Sequence, residues 1–321
     1  MRSRKFATSL GGYAGRMRVV VVGATGNVGT SLLAHLSADP EIDSVLGVAR
    51  RLPTDWQPDK VEWASADITQ AELEPLFSGA DAVVHLAWLI QPSRDEQTLE
   101  SVNVRGSERV FRAAAAAGVP RLLYASSVGA YSPGPKDRAV DESHPTGGVP
   151  TSFYARHKAA VESILDTVES ESPDMAVARL RPGLIFKREA ATGIRRYFAG
   201  PFLPSPLVRR QLIPLVPDLD RLRFQAVHSL DVGRAYQLAL KRDARGAFNV
   251  AAEPVLDPDR LGELLGARPV KVPASALRWG ALASWKLRLQ PSPPGWVDMA
   301  LAVPIMDSSR IRNELGWEPE H

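Results

Sequence analysis

Tyr154 and Lys158 stand four residues apart in the run Tyr154-Ala-Arg-His-Lys158, and Ser126-Ser127 lies upstream at the end of an apolar stretch. On a helix, positions i and i+4 share a face. A free phenol titrates near pH ~10 and is a poor base at neutral pH. A nearby ammonium, together with the positive charge of a nicotinamide ring, favours the phenolate. A tyrosine so placed can take a proton from a hydroxyl as hydride leaves, or give one to a carbonyl in the reverse direction. Ser127 would hydrogen-bond the same oxygen and orient it. Lys158 could also hold the nicotinamide ribose. Tyr-x-x-x-Lys is common by chance, so its weight depends on what precedes it.

What precedes it is Gly23-Ala-Thr25-Gly26-Asn27-Val28-Gly29, directly after the β-branched run 18–22 and at the start of a helical pattern. A tight turn without Cβ atoms lets the backbone approach a pyrophosphate, and the helix N-terminus offers free N–H groups. The second strand ends in Arg50-Arg51 rather than in an acid. An acid there suits the ribose 2′-hydroxyl of NAD, whereas a guanidinium suits a 2′-phosphate. Arg50 is the first candidate and Arg51 the next, so NADP(H) is expected over NAD(H). Asp67 could accept from an adenine amino group while Ile68 packs on the ring, or Asp67 could cap the following helix. Ala87 and Trp88 would line the cofactor ribose. His85 reads as a satisfied buried histidine without a catalytic role.

These side chains need a scaffold that brings strand ends together. Strands are expected at 18–22, 45–49, 61–65, 82–86, 121–126 and 176–180. Helices are expected after the glycine turn, at 98–117 with Gly118 at its C-cap, and at 152–169 with Ser152 as N-cap. Strands alternating with helices imply an α/β fold with a doubly wound parallel (Rossmann) sheet. Its ligand crevice lies at the carboxyl ends of the strands. After Pro182, prolines become frequent and a smaller C-terminal substrate lobe is expected over 183–321, with 225–250 returning to the sheet. The dinucleotide-binding domain spans 17–182, and Met1 to Arg16 reads as a disordered leader or an upstream-start artefact, with a transit peptide as the alternative. Trp279, Trp285 and Trp296 are expected in the core or in a pocket wall. A membrane-surface helix is the other reading, opposed by Pro291, Pro293 and Pro294.

Composition narrows the classes. The 321 residues carry 39 basic and 36 acidic side chains, net +3, with the arginine pairs scattered. Nucleic-acid binders concentrate such charge, so no nucleic-acid partner is expected. There is no cysteine, which excludes disulfides and thiolate nucleophiles and fits a cytoplasmic, reducing location. No His-x-x-x-His pair occurs, so no metal is expected. No apolar run approaches the ~18 residues that span a bilayer, so no membrane partner is expected.

Taken together, the glycine turn, His85-Leu-Ala, Asn103, Ser-Ser with Tyr131, Tyr-x-x-x-Lys, RPGLIF at 181–186, VHSLDV at 227–232 and LGWEP at 315–319 resemble the extended short-chain dehydrogenase/reductase family over residues 17–319. Counting back from Tyr131, the resemblance assigns the catalytic hydroxyl to Ser127. It implies a nicotinamide pocket near Pro182, and a homodimer formed through the helices near 98–117 and 152–169. Two positions depart from it. Val128-Gly129 stands where sugar-nucleotide dehydratases carry an acidic pair, and Leu184 stands where sugar-nucleotide epimerases carry an asparagine. The tryptophan-rich lobe suits a less polar carbonyl or alcohol; Arg195, Arg196, Arg209 and Arg210 would suit a phosphorylated one. The reading is an NAD(P)-dependent oxidoreductase acting on a secondary alcohol or ketone. Its alternatives are a nucleotide-sugar epimerase with retained NAD and a non-catalytic NADP(H)-binding regulator.

Overall fold

The computed structural model describes residues 16–90, 94–187 and 214–321. The expected leader, up to residue 15, and the pairs Arg195-Arg196 and Arg209-Arg210 lie outside the described residues.

The strands up to residue 250 are β1 (Met17–Val22), β2 (Ile42–Ala49), β3 (Val61–Ser65), β4 (Ala82–His85), β5 (Arg121–Ala125), the two-residue β6 (Ala139–Val140), β7 (Ala176–Pro182), β8 (Leu184–Phe186), β9 (Leu215–Asp218), β10 (Phe224–His228) and β11 (Gly246–Val250). Seven of them form the central sheet in the order β11-β7-β5-β4-β1-β2-β3. Every neighbouring pair in it is parallel. This is a Rossmann-type sheet. Its strand order reverses between β1 and β4, which opens the crevice at their carboxyl ends.

The valine run of β1 is apolar on both faces because both faces are covered. Val19 and Val21 join Leu32, Leu33 and Leu36 of helix α1 (Asn27–Ala38), together with Val232, Ala235 and Tyr236 of the Ser229–Lys241 helix. Val20 and Val22 face the other way, into a cluster with Phe77 of α2 (Glu74–Phe77), Val110 and Phe111. Successive strand residues thus alternate between two cores. Leu33 is fully buried, and truncating it to alanine would cost about 2–5 kcal/mol.

The helix expected at 98–117 is one run in three parts: α3 (Glu96–Glu100), a π-helical stretch Ser101–Arg105, and α4 (Gly106–Ala116). The π stretch carries Asn103, whose side chain is fully buried. Its Oδ1 accepts from Leu89 N (2.7 Å) and its Nδ2 donates to Leu89 O (3.0 Å), which fixes the chain just after β4. Helix α5 (Phe153–Glu171) is capped by Ser152, whose Oγ accepts from Ala155 N at 3.4 Å.

After β7 the chain leaves the central sheet and returns to it at β11. The Ser229–Lys241 helix packs on α1, and β11 extends the sheet beside β7. The remaining lobe contains the Ala274–Lys286 and Gly295–Ala302 helices. Here one expectation fails. Trp279 is 66% exposed and belongs to neither core nor pocket wall. Among the described residues, no helix is long and apolar enough to cross a membrane.

Candidate active site

The crevice begins at the β1–α1 turn. Gly23 has φ +90°, and a Cβ there would lie 2.5 Å from Ala87 N. Only glycine fits this conformation at this distance. Gly26 caps α1, and no side chain takes the cap hydrogen bond. The first-turn N–H groups and the positive end of the helix dipole therefore face the crevice. Asn27 Oδ1 is buried there without a hydrogen-bond partner. These features fit a dinucleotide pyrophosphate.

A cavity of about 190 Å³ opens beside the turn, lined by Gly23, Thr25, Gly26, Arg50, Asp67, Ile68, Ala87 and Trp88. Leu89 and Val102 also line it and were missed from sequence, because nothing in their types marks them. Asn27, Val28, Gly29 and Pro182 do not line it. Gly29 turns back on the loop, where a Cβ would meet Gly23 O and Ala24 O at 2.5 Å. Pro182 closes β7, buried, on the far side of β5. Arg50 is exposed at the end of β2, at the cavity rim; Arg51 is exposed and does not line it. Asp67 accepts from Thr69 N (2.9 Å) and Thr69 Oγ1 (2.7 Å), so it closes a local turn as well as facing the cavity. Those two bonds, and then the Arg50 charge, hold its carboxyl below the ordinary carboxylate range.

Beyond Trp88 the crevice reaches the catalytic candidates. Ser127, Tyr154 and Lys158 come together where β5 ends against the start of α5. Ser127 Oγ accepts from Gly129 N (3.0 Å) and stands on the Tyr154 side of the turn, where it opposes the rise of the phenol's pKa. Gly129 allows this closeness: a Cβ there would stand 2.9 Å from the Tyr154 ring. Trp296 packs on Tyr154 with ring centroids 5.1 Å apart, and Trp88 meets it edge-on at 5.8 Å. The Lys158 ammonium sits 3.5 Å from the centroid of the Trp88 ring and donates to Ala125 O at 2.6 Å.

The electrostatics differ from the simple expectation. Burial pushes the Tyr154 phenol above its ordinary value, with the Ser127 hydrogen bond opposing. Burial also holds the Lys158 ammonium well below its ordinary range, with Glu162 opposing. Burial thus outweighs the help that Lys158 was expected to give the phenolate. Its amine points to Ala125 O and the Trp88 face, 5.9 Å from the Tyr154 ring centre. The Trp88–Trp296 roof is the physical cause, because it strips water from both groups.

Sequence reasoning also missed the support behind this trio. Glu162, one turn past Lys158 on α5, is 2% exposed in its side chain. It accepts from Ser126 Oγ and from Arg181 Nε at 2.8 Å. Arg181 continues to Tyr131 Oη (3.0 Å), which donates to Asn249 Oδ1 (2.7 Å). The network ties β5, α5, β7 and β11 together at the strand ends. The spacing Tyr-x-x-x-Lys-x-x-x-Glu, with Arg181 leading into Pro182, was the available signal. His85 is fully buried, with Nε2 2.9 Å from Ser107 Oγ. Burial holds it at about 3, neutral and outside the chemistry.

Residues 19–251, which hold the glycine turn, Ser127, Tyr154, Lys158 and the Arg181-Pro182 pair, match the NAD dependent epimerase/dehydratase family. The chain belongs to this family. By family it is an extended short-chain dehydrogenase/reductase. An uncharacterized protein of Mycobacterium tuberculosis is 27% identical over 306 residues; the match covers 94% of this chain and 28% of that protein, so the family member spans under a third of its relative's length. The decarboxylating sterol-4-alpha-carboxylate 3-dehydrogenase of Saccharomyces cerevisiae is 25% identical over 250 residues, 75% of this chain and 66% of that protein. Among solved structures, UDP-glucose 4-epimerase from Thermotoga maritima with UDP-glucose aligns at TM-score 0.72 and 19% identity, over 95% of this chain and 94% of that one. That likeness bears on the fold alone.

Proposed function

We propose that this chain is an NADP(H)-preferring oxidoreductase that interconverts a secondary alcohol and a ketone of low polarity. The carrying observation is the setting of Tyr154 and Lys158 beneath an apolar, aromatic roof of Trp88 and Trp296, with Ser127 at the end of β5 beside them. The turn residues Gly23, Thr25, Gly26, Asn27, Val28 and Gly29 would hold the pyrophosphate. Asp67, Ile68 and Ala87 would border the adenosine half, with Pro182 by the nicotinamide. When bound, the nicotinamide supplies or accepts the hydride. Tyr154 Oη moves the proton, giving it to the carbonyl oxygen in reduction and taking it in oxidation. Ser127 orients that oxygen, and Lys158 carries the charge that makes phenolate accessible once it turns toward the ribose.

The apolar side chains that follow β7 support the substrate class. Leu184 and Phe186, just past β7, are 49% and 43% exposed. Apolar side chains at this position, with the aromatic rings over Tyr154, suit an apolar skeleton better than a polyhydroxylated one, whose hydroxyls would be costly to desolvate there. The relative named for a sterol substrate is consistent with that class. Arg50 at the rim supports a 2′-phosphate and hence NADP(H). A homodimer through α4 and α5 accompanies this reading.

The reading is tested by gel filtration of purified protein loaded with labelled cofactor. Free exchange of the cofactor is expected, as in a dehydrogenase. Cofactor that stays bound through the column would support the epimerase instead.

A further inference from the structure

The surface least explained by a soluble hydride-transfer enzyme is the outer face of the Ala274–Lys286 helix. No residue of this helix is buried. Ala276, Trp279, Ala283 and Leu287 follow at spacings of three and four, so they form one stripe along the helix. All four are exposed, Trp279 at 66% and Leu287 at 70%, and Leu289 adds a further 60%-exposed apolar side chain. The prolines that argued against such a helix come after it ends at Lys286 and do not interrupt it.

The charge around the stripe has one sign. Between Leu264 and Val297 there is no acid, while Arg268, Lys271, Arg278, Lys286 and Arg288 are all present. Arg278 pairs with Asp298 at 2.8 Å. Among the described residues Lys286 and Arg288 form no ion pair, and both are exposed. A second copy of the chain is a poor occupant, because a two-fold contact would bring these cations face to face. The chain's own segment 188–213 has one acid, Glu189, among five arginines, and supplies no countercharge.

We infer that this face docks on an anionic lipid surface. An apolar stripe with tryptophan and leucine, edged by lysine and arginine, has the composition of a helix that lies in a bilayer interface. The apolar residues enter the headgroup boundary and the cations meet the lipid phosphates. The same helix is braced against the reaction chamber. Arg94 stacks over Trp285 at 4.4 Å, and Arg278 holds Asp298 in the helix that presents Trp296 to Tyr154. A docked protein would therefore hold its substrate lobe against the phase in which a low-polarity alcohol or ketone dissolves. This extends the proposed substrate class, but the docking surface stands without it, since lipid binding requires neither cofactor nor turnover.

The test is co-sedimentation of the full chain with phosphatidylcholine vesicles, with and without phosphatidylglycerol, at low and at physiological salt. Two double variants accompany it: Trp279→Ser with Leu287→Ser, and Lys286→Glu with Arg288→Glu. The wild type is expected to sediment only with the anionic vesicles, more weakly as salt rises. Each double variant should lose about tenfold or more in vesicle affinity. Unchanged dinucleotide titrations would show that the variants are folded. A wild type that ignores anionic vesicles would overturn the inference. So would variants that sediment like the wild type, or a wild-type self-association that the Trp279 and Leu287 changes abolish, which would assign the face to a second copy.

Discussion

The two ends of the crevice are built from different materials. The adenosine end is backbone and exposed charge: a glycine turn, an uncapped helix terminus, and Arg50 at the rim. The catalytic end is buried side chains: Tyr154 and Lys158 under two tryptophans, with Glu162 and Arg181 behind them. Backbone geometry changes little with its surroundings, whereas the charge state of a buried group depends on everything packed against it. The adenosine end should therefore decide which dinucleotide binds, and the catalytic end what happens to it.

Substitutions that act on one end only would sharpen this contrast. The largest effect is expected at Tyr154. Tyr154→Phe should lower turnover by roughly 10²–10⁴-fold, the usual contribution of a positioned proton-transfer group, while dinucleotide affinity measured by calorimetry stays unchanged. Next comes Arg181→Met, which removes the close partner of the buried Glu162 carboxylate and leaves it only Arg179 at 3.9 Å. A loss of about 3–5 kcal/mol in stability is expected by urea unfolding, and turnover should fall with it because Ser126 and α5 share that carboxylate. A smaller effect lies at His85, whose titration is held at about 3 against an ordinary 6.5. A base depressed by folding binds more protons when unfolded, so it makes stability fall as pH drops below about 6.5. Between pH ~7 and ~5 this amounts to about 2 kcal/mol. The variant His85→Gln should show a shallower decline in denaturation midpoint over that interval. The smallest is Arg50→Ala, which should remove about tenfold of the preference for NADPH over NADH, roughly 1.4 kcal/mol. Turnover at saturating cofactor should not change. If Arg50→Ala altered turnover instead of preference, or Tyr154→Phe altered cofactor affinity instead of turnover, the division between the two ends would fail.

The adenosine end was legible in the sequence because its determinants are local. A valine run, a glycine turn and a helical pattern within about 20 residues specify β1, the turn and α1, and the seven-stranded parallel sheet follows from their alternation. The catalytic trio was legible as residue types, since the i, i+4 spacing of Tyr154 and Lys158 is also local. Its environment was not. Trp296 reaches Tyr154 from a helix more than 140 positions away, and no local pattern announces that it would take water from the site rather than fill a core. The same long-range packing sets burial against the expected effect of Lys158 on Tyr154. The π-helical stretch was hidden for a related reason: Asn103 is drawn to Leu89 by a tertiary hydrogen-bond pair that helical periodicity does not encode. Trp279 shows the converse, an aromatic residue whose type suggests burial and whose neighbours leave it exposed.

The central claim is hydride transfer to a low-polarity carbonyl at Tyr154. Its most direct test is to mix the protein with excess NADPH and a panel of apolar cyclic ketones, and to follow the loss of reduced-nicotinamide absorbance. Multiple turnovers in the wild type, absent from Tyr154→Phe, are predicted. No oxidation of NADPH by any ketone, alongside interconversion of a nucleotide sugar by protein that retains NAD, would contradict it.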